Sequence, residues 1–177
     1  MARLLLPMWL AVRKMETGLS FDLSLDPNPR FVSIVRRFVE EVFERLIPDP
    51  EAVFRVSMTA HELLENAAKY ASCGRALLRF STRLEGEYAV VNLSLINETT
   101  PGHIDQLRLR VQAIVNSSDS FAHYQQLMLA PSRHPGESGL GLARIAAEAE
   151  MQLGLEVKAN TVAIMASAKV DRGGRYR

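Results

Sequence analysis

The sequence has a single cysteine, a nearly balanced charge and no long apolar run, and each shortage excludes a class of protein. One cysteine, Cys73, in 177 residues cannot form an intrachain disulfide, so the composition favours a reducing cytoplasm over an oxidising compartment. Basic residues number 21 and acidic residues 20, which removes the usual electrostatic reason to expect nucleic-acid or membrane binding. No segment approaches the roughly 20 apolar residues that a membrane span requires.

The apolar segment from residue 4 to residue 12 allows two interpretations. It could be the core of a short signal peptide, but Pro7 interrupts it and no convincing small-residue cleavage site follows. A first β-strand therefore explains it better. With 47% apolar residues, the chain is long enough to form one domain over residues 1–177 with a core of its own.

Hydrophobic periodicity predicts the element order ββααββ, then a helical insertion over residues 101–135 that resembles a lid, then αββ. The first hairpin spans residues 8–25, and its second strand alternates Leu19, Phe21, Leu23 and Leu25 with polar residues. Short hairpins imply an antiparallel or mixed sheet. We therefore predict an α+β fold, a two-layer α/β sandwich with a mostly antiparallel sheet and helices on one face.

The pattern predicts two helices after the first hairpin. In the first, Phe31, Ile34 or Val35, Phe38, Val42 and Leu46 follow helical spacing. The second is predicted to begin with Asp49 as its cap and Pro50 in its first position.

Three polar residues of the second helix form the first functional motif. Glu62, Asn66 and Lys69 are spaced i, i+4 and i+7, which places them on one narrow stripe beside the apolar seam. A carboxylate, an amide and an ammonium can orient a water molecule, ligate a hard cation and hold a phosphate. The alternative interpretation is that Glu62 and Lys69 are ordinary surface charges and that Asn66 has no function.

A glycine-rich segment some seventy residues later forms the second motif. Gly136, Ser138, Gly139 and Gly141 precede a helical pattern, where backbone N–H groups and the helix dipole favour an anion. A tight turn at the start of a helix would explain the same glycines. Together, the two motifs predict a nucleotide-triphosphate site. His103, His123 and His134 lack the spacing of metal ligands and are expected to be surface groups.

These motifs resemble those of the GHKL ATPase superfamily, whose domains have the Bergerat fold. The segment 62–70 is similar to its N box, and the segment 136–142 is similar to its second glycine box. The compact layout is most similar to the anti-sigma-factor serine kinases of bacterial partner-switching systems. The resemblance implies ATP and Mg²⁺ as cofactors, and a protein partner of the anti-anti-sigma or sigma-like type. It implies no role for nucleic acid or membrane, and it allows a homodimer.

The resemblance also assigns roles to single residues. Glu62 would be the general base and Asn66 the Mg²⁺ ligand, while Lys69 would contact a phosphate. The loop residues Gly136, Ser138, Gly139 and Gly141 would bind phosphate.

The first glycine box of the family is altered in this chain. The segment 97–102 reads Asn-Glu-Thr-Thr-Pro-Gly, so Asn97 stands where an aspartate would bind adenine and Gly102 is the single glycine left. The amide oxygen of Asn97 could still accept a hydrogen bond.

This departure motivates a second hypothesis, a non-catalytic module that acts only by binding other proteins. A third alternative is the catalytic domain of a histidine kinase. Because no dimerisation helices or sensor segment accompany the domain, we favour the regulator with a protein substrate.

Overall fold

The computed structural model of the 177-residue chain describes residues 11–15, 18–47, 49–130 and 139–171. Residues 8–10 of the predicted hairpin and residues 131–135 of the predicted insertion lie outside the described residues. Within these ranges there are six strands, namely β1 (Ala11–Met15), β2 (Gly18–Leu25), β3 (Ala76–Glu85), β4 (Tyr88–Glu98), β5 (Gln152–Lys158) and β6 (Thr161–Asp171). The same ranges contain five helices, namely α1 (Pro29–Glu44), α2 (Pro50–Tyr70), α3 (Pro101–Val115), α4 (Ser120–Leu129) and α5 (Leu140–Ala147).

The strands form one sheet in the order β1-β2-β3-β4-β6-β5, and every described pairing is antiparallel. Gly86, with φ of 63°, lies in the turn between β3 and β4, and Ala159, with φ of 53°, lies between β5 and β6. The predicted order of elements and the α+β sandwich are confirmed. Short hairpins force neighbouring strands to run in opposite directions, which is why the sheet follows from the sequence.

The core lies between one face of the sheet and the helices. Buried positions alternate along β3 and β4, as expected for a sheet with one covered face. Phe80 of β3 stacks on Phe21 of β2 with ring centroids 4.9 Å apart, and it meets Phe43 of α1 edge-on at 6.2 Å. These aromatic contacts attach α1 to the sheet.

Helix α2 begins as the sequence predicts. The Asp49 side chain accepts a hydrogen bond from the backbone N–H of Glu51 at 3.0 Å, and Pro50 occupies the first helical position. Its buried face packs against the sheet, α1 and α5. The predicted polar stripe is therefore fixed beside the core.

Helix α1 buries most of the predicted apolar stripe. Val35 is buried, and Phe38, Val42 and Leu46 are partly buried against the core. Phe31 is 47% exposed and Ile34 is 62% exposed, so the prediction is wrong at these two positions. The fully buried residues of the helix are Val32, Val35, Val39 and Phe43, the side that packing against the sheet and α2 selects.

The insertion consists of α3 and α4 within residues 101–130. In α4, Tyr124 is buried, whereas Phe121 is 54% exposed and Met128 is 51% exposed. Within the described ranges, no helix has both the length and the apolar character needed to cross a membrane.

Candidate functional site

The two sequence motifs meet at one cleft. It lies between the outer side of α2, the end of β4, the start of α3 and the start of α5, and it holds about 660 Å³ of empty space, including its open mouth. The cleft is lined by Glu62, Glu65, Asn66, Lys69, Tyr70, Asn97, Thr99, His103, Leu107, Arg110, Gly139, Leu140, Gly141, Leu142, Val162 and Ile164. The structure thus brings together six of the predicted site residues, namely Glu62, Asn66, Lys69, Asn97, Gly139 and Gly141.

Direct contact between the motifs occurs at Glu62 and Gly141. A Cβ atom added at Gly141 would lie 2.5 Å from Oε2 of Glu62, closer than a carbon and an oxygen can approach without displacement. Only glycine therefore lets the carboxylate lie against the first turn of α5. The other carboxylate oxygen, Oε1, accepts a hydrogen bond from Nη1 of Arg144 at 3.2 Å. The Glu62 side chain is 12% exposed, so this is a largely enclosed carboxylate.

Asn66 is one turn further along α2, and its amide lacks a complete set of partners. Its Nδ2 atom is buried and makes no hydrogen bond within the described residues. A half turn of the amide would exchange Nδ2 and Oδ1, and an amide oxygen is a hard ligand. Within the ranges that the structure describes, no group of three or more His, Cys, Asp or Glu could hold a metal. A cation at Asn66 would therefore need further oxygen ligands from a bound molecule.

Lys69 lies at the rim of the cleft and is half exposed. Its Nζ donates to Oε2 of Glu65 at 2.8 Å, and the Glu65 and His61 side chains are 3.4 Å apart between Oε1 and Nε2. The hydrogen bond between Lys69 and Glu65 raises the pKa of Lys69 and lowers the pKa of Glu65. The ammonium is thus charged and close to the cleft, but it is held within its own helix.

The altered glycine box forms the end of β4 and the start of α3. Asn97 is 7% exposed, and its Nδ2 atom donates to the backbone oxygen of Glu98 at 3.0 Å. This hydrogen bond does not use the side-chain oxygen of Asn97. Thr99 donates from Oγ1 to the backbone oxygen of Tyr70 at 2.7 Å, which ties β4 to the end of α2. Gly102 lies in the first turn of α3, exposed and outside the cleft lining.

The glycine loop is described only from Gly139 onward. Gly139 has φ of 64°, a left-handed conformation that favours glycine. It is the N-cap residue of α5 and directly precedes the helix. A Cβ atom there would lie 3.3 Å from Cδ of Arg110 in α3, so glycine also allows α3 to approach. Gly136 and Ser138, the other predicted loop residues, lie outside the described residues.

Three cleft features were not predicted from the sequence. Arg144 of α5 donates from Nε to Oε2 of Glu148 at 2.7 Å while it also holds Glu62. His103 is not a simple surface group, because its ring lies 3.8 Å from the Tyr70 ring, centroid to centroid, inside the cleft lining. Arg110 of α3 also lines the cleft.

Tyr124 of α4 lies near Glu148, the carboxylate that accepts a hydrogen bond from Arg144, and it offers a test by pH. Burial raises the pKa of Tyr124, and the charge and hydrogen bond of Glu148 raise it further. Because the folded pKa exceeds the unfolded value of about 10, the phenol stabilises the fold below that pH, and this stabilisation is lost as the pH rises through the folded pKa. Absorbance titration of tyrosinate should show a late component that is missing in Tyr124→Phe. A late component that persists in the variant would contradict this assignment.

Comparisons with known proteins support the fold. No family model and no curated protein matches the chain. Among solved structures, a chain in the crystal structure of the SiaB-SiaC complex from Pseudomonas aeruginosa matches with a TM-score of 0.62 and 19% sequence identity. The match covers 84% of this chain and 88% of that chain. At this identity the likeness shows the fold alone.

Proposed function

We propose that the protein is an ATP- and Mg²⁺-binding regulator that phosphorylates or sequesters a protein partner in the cytoplasm. The observation that carries the proposal is the contact between Glu62 and Gly141. It joins the carboxylate of one motif to the glycine segment of the other, with Asn66 and Asn97 lining the same cleft. Residues far apart in the sequence thus supply the groups that a nucleotide site needs.

Each group has a distinct task in this proposal. Asn66, together with phosphate oxygens, would hold Mg²⁺, which supplies positive charge against the phosphates. Backbone N–H groups at Gly139 and Gly141 would face a phosphate, and Asn97 would accept a hydrogen bond from the base. Glu62 would accept the proton of a partner hydroxyl as that oxygen bonds to the γ-phosphorus and the bond from the γ-phosphorus to ADP breaks.

Support for a protein partner comes from the fold and from the surface. A solved structure with a similar fold is the SiaB-SiaC complex, an assembly of two proteins. On this chain, the exposed apolar side chains Phe31 and Ile34 of α1 are available to a partner or to a second copy. We therefore include binding to another protein, of the anti-anti-sigma or sigma-like type, in the proposed function.

A second candidate function is a non-catalytic module that works through protein contacts alone. Two ion pairs favour it, since Glu62 is held by Arg144 and Lys69 is held by Glu65. The Oε1 atom of Glu62 already accepts a hydrogen bond from Arg144, so it is not free for a partner hydroxyl. The two candidates differ in whether ATP is turned over.

Calorimetric titration with ATP and Mg²⁺ tests the proposal. We expect binding by the natural protein, affinity about tenfold weaker for Asn66→Ala, and unchanged binding for Asn92→Ala. Asn92 is a matched control because it is an exposed asparagine on β4, away from the cleft. No heat at millimolar nucleotide would overturn nucleotide binding.

Turnover then separates the two candidates. We expect Glu62→Gln to bind ATP as the natural protein does but to lose its turnover, because the amide cannot accept the proton. Binding without turnover in the natural protein, in the presence and absence of partner, would favour the non-catalytic module.

A further inference from the structure

Another polar pocket lies on the helices outside the cleft, and among the residues that the structure describes no acidic side chain lines it. Three helices contribute to this pocket, which we call the arginine groove: Arg36 from α1, Phe54, Met58 and His61 from α2, and Arg144 from α5. It holds about 330 Å³ of empty space, including its open side. Two guanidinium groups and an imidazole around one small space attract an anion.

Arg36 is the member of the groove that lacks a partner. Its Nε atom is buried and makes no hydrogen bond, and the described part of the chain offers its guanidinium no ion pair. Other arginines in that part, such as Arg55 and Arg79, pair with carboxylates. His61 is partly similar, because its Nδ1 atom is buried without a hydrogen bond, although its Nε2 atom lies 3.4 Å from Oε1 of Glu65. A buried donor without an acceptor costs stability, which an added acceptor would recover.

Arg144 connects the arginine groove to the cleft. Its guanidinium lines the groove on one side and donates to Glu62 at 3.2 Å on the other. It also donates to Glu148 at 2.7 Å. An anion that enters the groove would compete with Glu62 for the same guanidinium.

The remaining lining indicates which anion fits. Phe54 is 47% exposed and Met58 lies below it, so the pocket offers apolar surface next to its donors. A free inorganic ion cannot use that surface, whereas the carbon stem of a glutamate or aspartate can.

We propose that the arginine groove binds one acidic side chain of a protein partner, and that its carboxylate loosens the hold of Arg144 on Glu62. Binding of the acidic side chain follows from the groove alone. Two further points rest on the proposed function. One is that the acidic side chain belongs to the regulated partner, and the other is the effect of its binding on Glu62. Partner docking would then free Glu62 at the moment its substrate arrives.

Nuclear magnetic resonance of the arginine Nε–Hε groups in the full chain tests the site without ATP. The probe is the blocked tripeptide acetyl-Gly-Glu-Gly-amide, and acetyl-Gly-Gln-Gly-amide is its uncharged match. We expect saturable shifts of the Arg36 and Arg144 signals in the millimolar range with the glutamate peptide and none with the glutamine peptide. The carboxyl carbon of Glu62 should move with the same midpoint.

Variants locate the effect. Arg36→Gln should weaken binding of the glutamate peptide about tenfold, because it removes a charged hydrogen-bond donor. Arg37→Gln is the matched control, since Arg37 is an exposed neighbour on α1 outside the groove. Equal weakening by both variants, or absence of saturable shifts, would overturn the site. If inorganic phosphate binds about tenfold more tightly than the glutamate peptide, the choice of a carboxylate is overturned. If the chemical shift of the Glu62 carboxyl carbon does not change during the titration, the link to the cleft is overturned.

Discussion

Under the proposed function, Gly141→Ala is expected to leave the protein folded but to lower ATP turnover about a hundredfold, the size of effect that loss of a positioned general base produces. The added Cβ would lie 2.5 Å from Oε2 of Glu62, so one of the two must move. Because Oε2 is the far end of a flexible side chain, the carboxylate moves and the helix does not. The fold is therefore retained while Glu62 leaves the position in which it could accept a proton.

Gly102→Ala is the matched control, because a Cβ there would have no neighbour within 4 Å. This variant should keep its turnover and gain slightly in stability, since alanine favours a helix. The Nη1–Hη signal of Arg144 supplies a second measurement for Gly141→Ala, because this group donates to Glu62, whose carboxylate is displaced. A shifted Arg144 signal with natural turnover would contradict the role of Glu62 as base. An unshifted signal would contradict the displacement itself.

The elements that the sequence predicts correctly are those fixed by local chemistry. The cap at Asp49 and the i, i+4, i+7 spacing of Glu62, Asn66 and Lys69 require only neighbouring residues. The hairpin at Gly86 is equally local, because its positive φ suits glycine. The fold class follows from these elements, since short connections leave few ways to arrange them.

Contacts between distant residues explain what the sequence does not predict. Glu62 and Arg144 are 82 positions apart, and no local pattern indicates that α5 places an arginine against the carboxylate. In α1, Ile34 and Val35 both fit an apolar stripe, and only packing decides that Val35 is buried. The pair of Lys69 and Glu65 is different. Its i, i+4 spacing was visible in the sequence, and it competes with the phosphate contact assigned to Lys69.

The largest effect on stability is expected for Phe80→Ala, a loss of about 3–5 kcal/mol in the free energy of unfolding. Phe80 is fully buried, stacks on Phe21 and meets Phe43 edge-on, so its removal opens a cavity where the sheet packs against α1. Urea unfolding should give a lower midpoint with an unchanged slope.

Phe121→Ala removes the same atoms from the exposed side of α4, where the ring is 54% exposed. Its cost should stay near 0.5 kcal/mol, roughly the range of surface substitutions. Similar losses in both variants would contradict a core centred on the three phenylalanines.

If Phe80→Ala alone is destabilised, α1 depends on the sheet for its position. Arg36 on α1 then depends on the same core for its place in the arginine groove, so binding of the glutamate peptide should weaken in Phe80→Ala and persist in Phe121→Ala.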